Sequence, residues 1–187
     1  SGWNVEKTSN PQNSIAFVTD SGTIPSVSGA INTVVNSLAS TGVAVGNSST
    51  STQRNIAFSE TTDLPTNQAE PQSRAWFNDG QYTVGSVSTL NGVSSRYYYK
   101  SQAAVWDGDT LFKIPYAGGS NIGNTDYYIQ SSLRGFYIDS TDTFYGVGYN
   151  SYTSDNDMNA TIFSGSKTDL ANLTSTAVSR VEVGGDN

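Results

Sequence analysis

The chain has 187 residues, a formal net charge of −7, and neither cysteine nor histidine. Disulfide frameworks, thiolate nucleophiles, thiolate metal sites and histidine-based catalysis are therefore excluded. The 16 acidic residues against 9 basic ones also disfavour nucleic acid and anionic lipid as partners.

The composition favours strands and turns over surface helices. Charged residues make up only 13% of the chain, and Ser, Thr, Asn, Gly and Tyr are abundant. No stretch approaches the roughly 18 apolar residues that a membrane span needs, and the first residues do not form a signal peptide. We expect one all-β domain with no membrane insertion, exported to the cell surface or beyond after removal of its signal.

One pattern occurs four times along the chain. A glycine followed by Asn or Ser leads through a polar turn to an alanine with an aromatic residue close by. The four occurrences cover residues 2–17, 46–58, 85–106 and 148–163. Three of the glycines end short apolar runs, as in a strand packed closely against its neighbour. We interpret each occurrence as an antiparallel β-hairpin with a polar loop.

The segments between these hairpins give further predictions. In residues 30–40 the β-branched Thr33, Val34 and Val35 favour a strand or irregular loop over a helix. Residues 59–73 contain two prolines and little apolar material, which predicts an exposed connector. The dipeptides at 107–108 and 164–165, Asp-Gly and Ser-Gly, predict hairpin turns.

The predicted organisation has two parts. Residues 1–165 form a β-domain of about four hairpin units, in which the turn spacing supports the repetition. Residues 166–187 form a polar C-terminal segment, either a last strand or a tail. Stacked hairpins of this kind predict a propeller-like arrangement or part of one, with a β-sandwich as the alternative.

A family resemblance rests on three motifs. Residues 77–86, FNDGQYTVGS, resemble the Asn-Asp-x-Gly-Gln-x-x-Val-Gly-x-Ser element of the bacterial extracellular repeat family named for its His-Ala-Phe tripeptide. Residues 15–17 and 56–58 resemble that tripeptide with Ile in place of His, and residues 103–108 resemble its Ala-x-x-Trp-x-x-Gly ending. The resemblance implies an exported bacterial protein of tandem β-units with no established enzymatic activity.

Exposed aromatic side chains are the candidate ligand contacts. Apolar ring faces with polar edges suit stacking against sugars. The candidates are Trp76, Tyr98, Tyr116 and Tyr128. Trp106, at the aromatic position of its hairpin, is instead expected in the core.

Calcium is the candidate cofactor. Asp155, Asp157 and Asn159 alternate along the chain, so that each could turn an oxygen ligand towards one point. The rest of an EF-hand is missing, because Ala160 and Ser166 occupy the positions of the required Gly and Glu. An ordinary polar turn is the alternative interpretation.

The sequence offers no catalytic centre. Glycoside hydrolysis needs two facing carboxyl groups, and no Asp or Glu lies in an apolar segment that would raise its pKa. Asp107, Asp109, Asp139 and Asp142 lie beside Ser, Thr or Gly and are expected to initiate turns. We expect no catalytic residues.

The sequence thus predicts a non-enzymatic binding or scaffolding module on the bacterial exterior, with a surface glycan or a protein as its ligand. The first alternative is a structural assembly unit, such as part of a phage fibre or surface layer, in which strand edges pair between chains. The second is a carbohydrate-active enzyme with a carboxylate pair.

Overall fold

The computed structural model describes most of the chain in ten ranges. These ranges are residues 3–7, 14–18, 22–23, 32–49, 56–59, 62–66, 72–90, 99–115, 130–151 and 158–178. Within them the chain forms β-sheets whose strands pair antiparallel, apart from one-residue parallel bridges between β2 and β4 and between β10 and β12, and one short 3-10 helix, Leu170–Asn172. The predicted all-β class is confirmed. No helix in these ranges is long and apolar enough to cross a membrane.

The strands follow one another in an orderly way along the chain. An N-terminal group contains β1 (Trp3–Lys7), β2 (Ser14–Val18) and β3 (Gly22–Thr23). Three four-stranded antiparallel units follow, which we call the first, second and third meanders. The first contains β4 (Asn32–Leu38), β5 (Ala44–Ser49), β6 (Ile56–Ser59) and β7 (Thr62–Asp63). The second contains β8 (Gln72–Asn78), β9 (Tyr82–Leu90), β10 (Tyr99–Asp107) and β11 (Thr110–Lys113). The third contains β12 (Gln130–Ile138), β13 (Thr143–Ser151), β14 (Met158–Ser166) and β15 (Thr174–Ala177).

The predicted hairpin strands pair with each other. In the three meanders the second and third strands run antiparallel, with Gly46 opposite Phe58, Gly85 opposite Ala104 and Gly148 opposite Thr161. Strand β2 pairs with β1 in the same way. Residues 32–38 form a strand, as predicted, and the turn at 108–109 joins β10 to β11.

One predicted turn is wrong. Ser164 and Gly165 lie inside β14, where Gly165 pairs with Phe144. A Cβ atom on Gly165 would be 2.9 Å from Leu173 Cδ2. The glycine at this position therefore allows close packing and does not reverse the chain.

Each meander carries a β-bulge at the same place in its first strand. The register between the first and second strands shifts by one residue at Asn36 in the first meander, at Trp76 in the second and at Arg134 in the third. A bulge leaves one residue unpaired and re-aims its side chain. These three residues, which we call the bulge residues, therefore hold equivalent positions.

A glycine lies opposite each bulge because the two backbones approach closely there. A Cβ atom on Gly46, Gly85 or Gly148 would lie 1.8, 1.8 or 1.9 Å from a carbonyl oxygen of the bulged strand. No side chain fits such a gap, since the obstacle is backbone on the neighbouring strand. The glycines recognised in the sequence are thus the partners of bulges that the sequence did not reveal.

Successive meanders are joined by a buried hydrogen bond from backbone to serine. The Ala57 N–H donates to Ser73 Oγ at 2.8 Å, and the Ala103 N–H donates to Ser131 Oγ at 2.7 Å. In each pair the alanine lies in the third strand of one meander and the serine in the first strand of the next. The serine hydroxyl thus accepts the hydrogen bond of a buried backbone N–H group that no neighbouring strand reaches.

The core consists of two apolar layers, one between each pair of adjacent meanders. The first layer contains Val45, Ala57, Leu64, Ala75, Val87, Ala104 and Trp106. The second layer contains Tyr82, Val84, Ala103, Val105, Ile114, Leu133, Phe144, Phe163, Leu170 and Leu173. The predicted core position of Trp106 is confirmed, and Leu170 and Leu173 bring the segment after residue 165 into the core.

The exposed connector predicted over residues 59–73 is wrong at two of its described residues, whereas Asp63 is exposed as predicted. Leu64 is buried in the first layer, and its N–H donates to the Ala57 carbonyl at 2.8 Å. Pro65 O accepts a 2.8 Å hydrogen bond from Trp106 Nε1, and Ser73 is buried. One apolar side chain and backbone hydrogen bonds are enough to hold this segment against the core. The low apolar content of the segment therefore gave no sign of its burial.

Aspartates organise the turns between the first and second strands of the second and third meanders. The Asp79 Oδ1 atom accepts hydrogen bonds from the N–H groups of Gln81 and Tyr82. Asp139 Oδ1 accepts in the same way from Thr141 and Thr143. The Thr141 hydroxyl, and then the backbone N–H of Thr143, lower the pKa of the Asp139 carboxyl.

The outer face of the third meander is uncovered. Val45, Val84 and Val147 each precede the glycine opposite a bulge, and their exposed fractions are 0%, 0% and 53%. The third strand of that meander likewise leaves Ala160 exposed, whereas Ala57 and Ala103 are buried. The described residues contain no first strand of a further meander to cover this face.

The glycine opposite the second bulge should be indispensable. We expect Gly85→Ala to lower the free energy of unfolding by about 3 kcal/mol or more, because the added methyl group overlaps backbone that cannot move aside. Gly135→Ala is the control, since its nearest neighbour would be Val147 Cγ2 at 3.7 Å, an ordinary contact. Urea denaturation measures both, and equal stability of the two variants would contradict the close approach.

The serine link between meanders should contribute measurably to stability. Ser131→Ala removes the acceptor of a buried N–H, which costs about 1–3 kcal/mol. Ser132→Ala is a matched control, because Ser132 is equally buried but its hydroxyl only donates a 3.4 Å bond to Leu133 O. Thermal and urea denaturation should show a clearly larger loss for Ser131→Ala, and the reverse order would overturn this role of the serine.

Candidate functional site

The three bulge residues lie in a row across adjacent meanders. Asn36 Nδ2 donates to Ala75 O at 2.6 Å, beside the bulge of the second meander. The guanidinium carbon of Arg134 lies 3.7 Å from the centroid of the Trp76 ring, which joins the bulges of the second and third meanders. The row arises because each bulge turns one side chain of the first strand out of the paired register.

Residues opposite the bulges extend this row. Asn47 Oδ1 accepts a 3.1 Å hydrogen bond from Asn36 Nδ2, and the Tyr149 ring centroid is 5.4 Å from the Arg134 guanidinium carbon. Asn47 and Tyr149 each follow the glycine that faces the bulge. Strand pairing thus sets which second-strand residue meets each bulge residue.

A cleft of about 150 Å³ lies at the Trp76–Arg134 contact. Two aromatic and two cationic residues border it, Trp76, Tyr149, Arg74 and Arg134. The remaining lining residues are serines and glutamines, namely Gln72, Ser73, Ser86, Ser101 and Gln130. We call this the bulge cleft.

The electrostatics of the bulge cleft oppose those of the whole chain. Arg74 and Arg134 are both exposed, and none of the described residues that line the cleft carries a carboxylate. Within the described ranges the salt bridge joins Lys167 to Asp142, and neither arginine has a carboxylate partner. A locally cationic cleft therefore exists in a chain of net charge −7.

Trp76 contributes an unsatisfied donor to this region. Its side chain is half-buried, and its Nε1 atom is buried without a hydrogen-bond partner among the described residues. A buried donor without a partner carries a desolvation cost of about 1–3 kcal/mol. Such a cost is common at sites where a ligand or an ordered water completes the hydrogen bonding.

A second cavity, of about 310 Å³, lies beside the turns at residues 79–81 and 108–109. Asp63 and Asp109 line it, together with Asn78, whose buried amide has no partner among the described residues. Burial raises the pKa of the Asp63 carboxyl. Asp63 itself is exposed, and it is the neighbouring Leu64 that brings the strand to the core.

The predicted site residues fall into two groups. Trp76 is the only predicted ligand contact within the described residues, and it lies in the bulge cleft. The other three, Tyr98, Tyr116 and Tyr128, lie outside those residues.

The predicted calcium ligands are divided in the same way. Asp155 and Asp157 lie outside the described residues, whereas Asn159 is exposed in β14 and its backbone carbonyl accepts a hydrogen bond from Thr161 Oγ1. In the part of the chain that the structure describes, no three acidic side chains are grouped so as to hold a metal ion. The calcium site stays a prediction.

Sequence reasoning missed the arginines and Tyr149. The sequence pattern that could have located them is the distance along the chain from each bulge residue to the glycine opposite its bulge. This distance is 10, 9 and 14 residues for Asn36, Trp76 and Arg134. The spacing varies because the turns between the strands differ in length and because Arg134 and Gly148 lie farther from the turn that joins β12 to β13. The equivalent positions therefore do not align without the strand register.

Comparisons with known proteins supply no further guide. No protein-family model matches the chain, and neither the curated proteins nor the solved structures include a significant match.

Proposed function

We propose that the chain is a non-enzymatic binding module of an exported bacterial protein and that it takes its ligand in the bulge cleft. The contact between Trp76 and Arg134 carries this proposal. It brings an aromatic ring with an unsatisfied donor and an unpaired cation together from two adjacent meanders. Clefts that combine apolar faces with a few convergent polar groups are typical binding sites.

The proposed architecture is propeller-like. Each meander resembles a blade of four antiparallel strands, and the first strand of one packs on the preceding meander. The row of bulge residues would then follow the inner strands, where the blades surround a central channel. The recurring bulges, glycines and serine links support tandem repetition, and with it the resemblance to the family named for His-Ala-Phe.

A glycan of the cell exterior is the proposed ligand class. Trp76 and Tyr149 offer ring faces, and Gln72, Gln130 and Ser86 offer hydrogen bonds to hydroxyl groups. None of the described lining residues carries a carboxyl group, so hydrolysis of a glycoside by a carboxylate pair is not proposed for this cleft. The exported location rests on the composition and on the family resemblance.

Binding should depend on Trp76. On an array of bacterial surface glycans we expect the chain to bind a subset, and Trp76→Ala to weaken binding at least about tenfold, or about 1.4 kcal/mol. Tyr137→Ala is the control, because Tyr137 is an exposed aromatic residue of β12 outside the cleft lining. In the unaltered protein, the NMR signal of the Trp76 indole N–H should shift on titration.

Two results would contradict a binding role for this cleft. One is unchanged glycan binding by a folded Trp76→Ala variant. The other is a glycan that binds without shifting the Trp76 indole signal. Because the NMR measurement uses the unaltered chain, it holds even where the variant is unstable.

A structural assembly unit is the second candidate function, favoured by the uncovered face of the third meander. Val178 donates its N–H to Ala160 O as Leu64 and Ile114 do to Ala57 and Ala103, yet Val178 is 47% exposed while Leu64 and Ile114 are buried. A second copy of the chain could cover this face as β8 and β12 cover the earlier ones. Apolar surface that is buried in the first two meanders and exposed in the third favours such stacking.

Sedimentation velocity tests the assembly candidate. Self-association should increase with concentration and should be abolished by Val147→Asp, which places a charge on the uncovered face. Val34→Asp is the matched control, since Val34 is an equally exposed valine in the first meander. A monomer at every concentration, or equal behaviour of the two variants, would eliminate this candidate.

A further inference from the structure

We infer that the bulge cleft selects an acidic sugar, a six-membered ring that carries a carboxylate, over neutral sugars. This inference rests on the proposed function, because it names the chemical class of ligand for the same cleft. Three features of the cleft support it: the free donors of Arg134, the lack of a carboxylate among the described lining residues, and the size and polarity of the lining.

Arg134 keeps its hydrogen-bond donors available. Its guanidinium carbon lies 3.7 Å from the Trp76 ring centroid and 5.4 Å from that of Tyr149, so two aromatic rings position the group without accepting its N–H bonds. The five donors of a guanidinium lie in its own plane, and two of them match the two oxygens of a carboxylate. The Arg134 guanidinium, positioned by the two rings, can thus pair with a carboxylate of a ligand.

The charge of the cleft selects for an anion. Arg74 is a second exposed cation in the lining, and no carboxylate among the described lining residues competes for either arginine. The chain as a whole has a net charge of −7, so it does not attract anions generally. The cleft therefore attracts anions locally, through two cationic side chains that have no carboxylate partner among the described residues.

The size and polarity of the cleft indicate a sugar. Its volume of about 150 Å³ is close to that of an engineered cavity that accommodates one six-membered ring, benzene. Gln72 and Gln130 each present an amide that both donates and accepts hydrogen bonds, and Ser86 adds a hydroxyl group. An apolar acidic ligand would leave these groups unpaired, whereas sugar hydroxyl groups satisfy them.

The direct test is an NMR titration of the isotope-labelled chain with glucuronate, glucose and acetate. Glucuronate and glucose differ at one carbon, a carboxylate against a hydroxymethyl group, and acetate supplies the carboxylate without the sugar. We expect glucuronate to shift the Trp76 indole N–H and to bind at least about tenfold more tightly than either of the other two, because only glucuronate satisfies both Arg134 and the uncharged groups.

Variants at Arg134 identify the recognising group. Arg134→Gln should reduce glucuronate affinity about tenfold or more without changing the affinity for glucose, and Arg134→Lys should restore only part of it, since an ammonium group lacks the planar pair of donors. Lys113→Gln is the control, because it removes one positive charge from β11, outside the cleft lining. Arg134 is exposed, so these variants should fold.

The outcomes separate the inference from the proposed function. Equal affinity for glucose and glucuronate, with Trp76 shifted by both, would overturn the acidic preference and leave the binding role intact. Acetate binding as tightly as glucuronate would overturn the role of the sugar ring. If none of the three shifted Trp76 while an array glycan did, the inference would fail alone, and if no array glycan did either, both would fail.

Discussion

Each meander brings a glycine of its second strand so close to the first strand that a Cβ atom there would lie within 1.9 Å of a carbonyl oxygen. The close approach accompanies the bulge, and the bulge turns Asn36, Trp76 or Arg134 away from the paired register. The candidate site therefore depends on a backbone constraint. Because the same constraint acts in three consecutive meanders, single side chains that are distant in sequence become neighbours in space.

The meanders bury their apolar side chains by covering one another. The buried valine, alanine and leucine or isoleucine positions of the first two meanders match the exposed Val147, Ala160 and Val178 of the third. Burial of such side chains is worth about 1.5–3 kcal/mol each, so an isolated meander would lack most of its core. The same packing places Arg134 on Trp76, and stability and site assembly thus share one interface.

The sequence predicted the paired strands well, because the apolar runs that end in Gly46, Gly85 and Gly148 have a local pattern of their own. It missed the buried connector, since Leu64 is a single apolar residue whose burial depends on a distant strand. It found Trp76 by residue type alone. Arg134 and Tyr149 escaped because only the register of β12 and β13, with its bulge at Arg134, brings them to the cleft. Local patterns specify strands, whereas the site arises from non-local pairing.

Backbone hydrogen exchange tests the central claim most directly, namely that successive meanders are joined by the same buried contact. The N–H groups of Ala57 and Ala103 donate to buried serine hydroxyls, whereas the equivalent Ala160 is exposed. NMR-detected exchange should show strong protection at Ala57 and Ala103 and rapid exchange at Ala160. Exchange at Ala57 and Ala103 as fast as at Ala160 would show that the meanders do not pack in this way, and the bulge cleft would lose its structural basis.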